Sequence, residues 1–293
     1  MDPRKLEHFL AVADSLSFTK AAKTLHIAQP SLSQSIKSLE RELKTDLFVR
    51  LPSGLELTPG GKALMSPASR ALRALKDARE MVRSLTDVQG GTLDIVAPAS
   101  LITYPTARLV HRFNREYPRV NVTVREAADS AEAANQLLDG RAEVAVFEMT
   151  GSATGIVRHK LFSYELYAVF PAGTPNAPDP QVEIISWSAL ERHRLISLAP
   201  YTVSRKMIER HGLSGNIGIE VHSIEAAVEL VRLGAGVGVL VEPYALMAQR
   251  DGATIFRLEP QVVHSVGTGH RRGEVAPAVT AFTNLAMLHD PEA

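Results

Sequence analysis

Residues 17–50, SFTKAAKTLHIAQPSLSQSIKSLERELKTDLFVR, decide how the rest of the chain is read. Leu32, Ile36, Leu39 and Leu43 fall at i, i+4, i+7 and i+11, the apolar stripe of a helix packed on one side. The other side carries Pro30, Ser33, Gln34, Lys37 and Arg41, polar and lightly positive, with no carboxylate before Glu40 and Glu42. Upstream, Phe18, Ala21, Ala22 and Leu25 give a second apolar face, with small residues where two helices must cross closely. His26-Ile27-Ala28 is the turn between them, and Gln29-Pro30 opens the second helix with proline at a tolerated position. This is the sequence form of a helix-turn-helix, whose second helix enters the major groove of DNA.

The flanks fit that reading. Asp2-Pro3 starts a first helix, with an acid to cap it and proline at its first position, and Leu6, Phe9, Leu10 and Ala13 form its apolar face. Residues 47–51 and 55–58 are short extended segments around Pro52-Ser53-Gly54, a hairpin that serves as a wing. A wing lies along the backbone or minor groove, where a basic side chain such as Arg50 is favoured by the negative potential. Beyond it, Leu64, Ala68, Ala71, Leu75, Ala78, Val82 and Leu85 alternate by four and three, three heptads of a/d spacing with charged flanks. An amphipathic helix packed on its own domain would show the same stripe. The length, the position between two domains and the small alanines favour pairing between chains. Pro67 is expected to kink or restart this helix, and Gln89-Gly90-Gly91 to end it as a hinge.

From Thr92 onward, short β-rich runs (93–97, 120–125, 144–147, 166–170, 195–198, 217–221 and 237–241) alternate with helical patterns (106–117, 131–138, 204–211 and 224–233). Such alternation predicts parallel sheets with helices on their faces. The Pro-rich loop 171–180 in the middle divides this part into two α/β lobes.

Composition bounds the alternatives. The chain has 293 residues, enough for about two domains. It has no cysteine, no apolar run long enough to span a membrane, and an N-terminus with charges among its apolar positions, unlike a secretory signal. A cytoplasmic protein is expected, and the glycosylation-like Asn121-Val122-Thr123 then has no role. Net charge is zero, but residues 1–90 hold 14 Lys and Arg against 10 Asp and Glu, and the remainder 18 against 22. That asymmetry supports a DNA-binding N-terminus without carrying it. Gly234-Ala235-Gly236-Val237-Gly238 lies between a helical stretch and a strand, the reverse of a phosphate-binding loop, and reads as a helix end. The 10 histidines show no metal spacing, and no GxSxG nucleophile motif occurs. No catalytic residue, metal site or cofactor is expected.

The arrangement Phe18-Thr19-Lys20-Ala21-Ala22, Leu25, Gln29, Leu32-Ser33, Ile36, Leu39-Glu40, Leu43, Leu47-Phe48, Arg50, Thr58-Pro59 and Gly61 resembles the LysR-type transcriptional regulators. The N-terminal part carries the specific match; the rest matches by architecture. One departure is Lys44, where the family often has glycine after the helix. The resemblance implies an α/β chain with three parts: a winged helix-turn-helix over residues 1–58, a linker (dimerisation) helix over 59–90, and a two-lobed domain like periplasmic binding proteins over 91–293. It implies a homodimer through the linker helices, assembled further as a homotetramer, double-stranded operator DNA and a small-molecule effector as partners, and contact with RNA polymerase as an option. Carried over by position, Gln29, Pro30, Ser31, Ser33, Gln34 and Lys37 face the groove, and Arg50, Pro52 and Ser53 of the wing face the backbone. Glutamine can pair bidentately with adenine, and Lys37 suits a phosphate.

In two-lobed α/β domains ligands sit beyond the carboxyl ends of strands, near helix N-termini. That places Ser100, Leu101 and Thr103 after the first strand, Ala128 after the second, Phe147 with Glu148 after the third, and Tyr201, Thr202 and Ser204 in the other lobe. Ser100, Thr103, Thr202 and Ser204 would anchor a small, carboxylated metabolite, or act simply as helix caps. Two rivals fit the second part alone: a solute-binding protein of the transport class, and an enzyme built on the lobes. A regulator without effector response is a further alternative.

Overall fold

The computed structural model describes residues 1–83, 90–149, 151 and 154–288. Helix α1 (Pro3–Ser15) starts where Asp2 accepts the Arg4 N–H at 2.9 Å and ends at Leu16 in the left-handed conformation. Helix α2 (Phe18–Thr24) is capped by the Ser17 hydroxyl, and α3 (Gln29–Leu43) follows after His26 turns the chain at φ 54°. Leu32, Ile36 and Leu39 are buried against Phe9, Val12, Ala21 and Ala22, so the stripe read from the sequence is the core of this domain. Strands β1 (Phe48–Leu51) and β2 (Gly54–Leu57) pair antiparallel around Pro52-Ser53.

The linker helix α4 (Pro59–Arg83) begins with Thr58, whose hydroxyl accepts the Gly61 N–H. A Cβ at Gly61 would meet the Leu47 carbonyl oxygen at 2.2 Å, which is why this position has no side chain. The helix runs unbroken through Pro67, against the expected restart. Pro67 is exposed, so water can meet the carbonyl that loses its partner. Leu64, Ala68 and Leu72 pack on the N-terminal core, whereas Ala71, Leu75 and Ala78 are exposed. Val82 and Leu85 of the stripe, and Gln89 of the expected hinge, fall outside the described side chains.

The first lobe is built on β3 (Gly91–Pro98), followed by the short α5 (Ala99–Leu101), then α6 (Ala107–Glu116), β4 (Val120–Ala127), α7 (Ser130–Leu138) and β5 (Val144–Glu148). Strand β6 (Ile156–Phe170) leads into the second lobe: β7 (Ile184–Ser186), β8 (Leu195–Leu198), α8 (Val203–Arg210), β9 (Ile217–Val221), α9 (Ile224–Arg232), β10 (Val237–Val241), α10 (Glu242–Arg250) and β11 (Thr254–Glu259). Strand β12 (Val263–Arg271) returns beside β6, and α11 (Pro277–Met287) closes the chain on the first lobe's core.

The strand order is β4-β3-β5-β12-β6-β10-β8-β9. Pairs β3–β4, β3–β5, β8–β9 and β10–β8 are parallel, as expected from the alternation. The sheet is nevertheless mixed, because β6 runs antiparallel to β10, β11 and β12. Strand β6 pairs in the sheets of both lobes, and β12 returns beside it to the first, so the two mark the joint between them. The Gly234 stretch is a helix end: Gly234 turns at φ 79°, and a Cβ on Gly236 would strike the Arg194 carbonyl at 2.7 Å.

Candidate nucleic-acid interface and effector cleft

The apolar side of α3 is fixed in the core, so its polar side must face out. Gln29, Pro30, Ser31, Gln34 and Lys37 are exposed, and Ser33 is half-buried with its hydroxyl accepting from the Gln29 amide at 3.0 Å. The helix start is capped by Ala28, which has no side chain to bond the first N–H groups. Those donors point outward with the positive end of the helix dipole, a combination that suits a phosphate. Glu40 takes no part in this face. Its carboxylate accepts the Leu47 and Phe48 N–H groups at 2.9 and 3.4 Å and ties the wing to the helix. Phe48 packs between Phe9 and Phe18 at centroid distances of 5.6 and 5.8 Å, and the Arg50 guanidinium stands 6.0 Å over Phe18. Arg50, Pro52 and Ser53 are exposed at the wing, beside the α3 face.

Of the residues expected at the effector cleft, several are already engaged. The Thr103 hydroxyl donates to Glu225 Oε1 at 2.9 Å, and the Ser100 carbonyl accepts from the Tyr244 hydroxyl at 3.4 Å, so both hold the first lobe against the second. Burial pushes the Tyr244 phenol up to about 12. Thr202 is a helix cap, accepting the Arg205 N–H at 3.3 Å, and Tyr201 is exposed. Ser204 is 3 % exposed at the first turn of α8. Leu101 belongs to the main core, and the Ala128 N–H is spent on Glu132. No hydrogen bond among the described residues joins Ser100 or Thr103 to Thr202 or Ser204.

Phe147 is not in the cleft. It lies with Ala133, Leu137 and Ile156 in the core under α7, and Arg158 stacks on its ring at 5.1 Å. Side chains alternate along a strand, so with Phe147 turned to α7 its neighbour Glu148 is turned to the opposite face, toward the lobe junction. Burial raises the Glu148 carboxyl above its ordinary value, against the nearby charge of Lys206. The same face carries Tyr164, which burial and the charge of Glu148 raise well above the ordinary phenol. Sequence reading placed Glu148 beside the cleft but chose its neighbour; a strict period of two from the buried Val144 and Val146 was the available signal.

A second polar constellation, absent from the sequence reading, joins α4 to the first lobe. Arg73 is 9 % exposed and binds Asp94 at 2.8 Å, with Glu143 at 3.2 Å. Glu143 also accepts the Asp94 N–H at 2.8 Å, Lys76 approaches Glu143 at 3.8 Å, and Arg125 approaches Asp94 at 3.4 Å. Burial works to lower the Arg73 guanidinium, but Glu143 and Asp94 raise it overall. Burial works to raise Asp94, but Arg73 holds it below its ordinary value, while desolvation raises Glu143. Beside this cluster a cavity of about 660 Å³ opens between α1, α4 and the first lobe, lined in part by Glu7, Asp14, Lys76, Arg125 and Arg141.

Comparison with known proteins agrees with both halves. Residues 3–62 match the bacterial regulatory helix-turn-helix protein, lysR family, and residues 86–288 match the LysR substrate binding domain. The nitrogen assimilation regulatory protein nac of Klebsiella aerogenes is 31% identical over 98% of this chain and 94% of its own. The HTH-type transcriptional regulator XapR of Escherichia coli is 27% identical over 98% and 97%. Among solved structures, a full-length OxyR variant from Pseudomonas aeruginosa superposes with a TM-score of 0.76 at 21% identity, covering 99% and 96%. Full-length CbnR with its target DNA gives 0.67 at 22%, covering 98% and 99%. The chain therefore belongs to the LysR family, DNA-binding transcriptional regulators with a helix-turn-helix domain and a substrate-binding effector domain.

Proposed function

We propose that this regulator binds operator DNA as a symmetric homodimer joined through α4, assembled further as a homotetramer. Gln29, Pro30, Ser31, Ser33, Gln34 and Lys37 enter the major groove, and Arg50, Pro52 and Ser53 lie along the adjoining backbone. A small molecule held between the two lobes alters that binding. The observation that carries this reading is the exposed, carboxylate-free face at the start of α3, set against its buried stripe beside the wing. The solved CbnR complex with its target DNA supports it by overall likeness. Among the described residues no helix is long and apolar enough to cross a membrane.

Operator binding measured by fluorescence anisotropy, on fragments upstream of the protein's own and neighbouring genes, tests the reading. Gln34→Ala is expected to cut the preference for operator over random DNA by about tenfold, the discrimination one bidentate base contact supplies. Binding to random DNA should stay nearly constant. Equal loss on both DNAs would remove Gln34 from base readout, and no binding to any fragment would overturn the proposal. Filling the cleft with Ser100→Trp, at a half-buried position, should abolish the metabolite response of operator binding and leave basal binding intact.

A further inference from the structure

At the lobe junction three polar groups face the same way, and among the described residues none of their side chains has a hydrogen bond or ion pair. Glu148 on β5 stands opposite Val266 on β12, and Val266 stands opposite Phe162 on β6. The next pair on that face is His264 with Tyr164, ring centroids 6.4 Å apart. Glu148 spends its N–H on Ser130, but among the described residues its carboxylate accepts no hydrogen bond and forms no ion pair within 4.0 Å. Tyr164 is 4 % exposed and its hydroxyl has no hydrogen bond among the described residues, and Nε2 of His264 is buried without one. Of the three, only His264 Nε2 is a buried atom without a partner; Glu148 is half-buried, so its unpaired carboxylate at the junction is open to an entering ligand.

The sign of the cluster says what binds. A carboxylate entering beside Glu148 would meet a like charge at a half-buried carboxylate that no cation among the described residues pairs. Lys206, whose field reaches Glu148, is exposed on α8 and lies beyond ion-pair distance. A cation or an N–H donor would meet an acceptor with both oxygens unspent, and charge-assisted hydrogen bonds of this kind are the stronger ones. We infer that the effector carries a nitrogen group rich in N–H donors, such as an amine, amidine or guanidine, which Glu148 holds with the Tyr164 hydroxyl beside it. This rests on the reading of the inter-lobe cleft as the effector site, and it replaces the carboxylated metabolite expected from the hydroxyl-bearing loops.

The test uses the full-length chain with two minimal probes at matched concentration, methylguanidinium and acetate. Binding is measured by calorimetry and located by soaking crystals. Methylguanidinium is expected on Glu148. Its affinity should fall by about tenfold or more in the isosteric Glu148→Gln, as loss of one charge-assisted bond implies, and less in Tyr164→Phe. Acetate should gain affinity in Glu148→Gln. Acetate bound between the lobes in the native chain, with methylguanidinium elsewhere, would overturn the ligand class while leaving the cleft reading standing. Neither probe at Glu148 would also overturn the inference. The cleft reading would then stand or fall on the Ser100→Trp operator assay alone.

Discussion

Lys44 departs from the glycine usual in the family, and the structure makes it strain for that. It is the C-cap of α3 at φ 53°, where an L side chain costs about 1–2 kcal/mol and glycine nothing. Glycine gives part of this back through a looser unfolded chain, so Lys44→Gly should stabilise the N-terminal domain by about 0.5–1 kcal/mol, read from urea unfolding. A destabilised variant would mean the lysine head contributes a contact of its own. At this scale the sequence was legible wherever one period ruled. Leu32, Ile36 and Leu39 are core because 3.6-residue spacing leaves them no other place. Phe147 was misassigned because position after a strand is a coarser cue than the face a strand residue must take. The partnering of Thr103 with Glu225, 122 residues away, has no local signal at all.

Among the elements, α4 divides its apolar stripe between two duties. Leu64 and Ala68 are used in the N-terminal core, leaving Ala71, Leu75 and Ala78 bare, with Leu75 42 % exposed. If that face pairs with a second chain, Leu75→Glu places a charge in the seam and should raise the dimer dissociation constant by tenfold or more, roughly the 1.5–3 kcal/mol carried by one buried leucine. Sedimentation velocity reads this directly, and an unchanged dimer would move the interface elsewhere. The joint strands were harder to foresee than the helix. Strand β12 contains Gly267 and Gly269, which lower its apparent strand character. Close approach requires them: a Cβ on Gly267 would lie 2.6 Å from the His159 carbonyl oxygen. The first half of β6, with Arg158, His159 and Lys160, likewise hides its strand nature behind polar residues.

Over the whole molecule, the buried Arg73 cluster decides how the DNA-reading head is attached to the lobes. Removing one partner of a buried pair typically costs about 3–5 kcal/mol, because the stranded charges remain buried. Arg73→Met is therefore expected to free α4 from the first lobe, raising the radius of gyration in small-angle scattering. Adding Asp94→Asn and Glu143→Gln should restore most of the lost stability. Acid should act in order. Glu143, raised by desolvation, protonates first, above its ordinary 4.5, and that step favours the folded form; the lowered Asp94 contributes stability that is lost as the pH falls through a value below 3.8. The attachment is one-sided, since Asp94 and Glu143 both belong to the first lobe. The buried pairs tie the reading head to that lobe, and the second lobe joins it through β6, a shared core and the bonds of Thr103 and Ser100. A ligand that moves the second lobe must therefore act on the DNA-reading head through the first lobe, by way of the Thr103–Glu225 and Ser100–Tyr244 bonds.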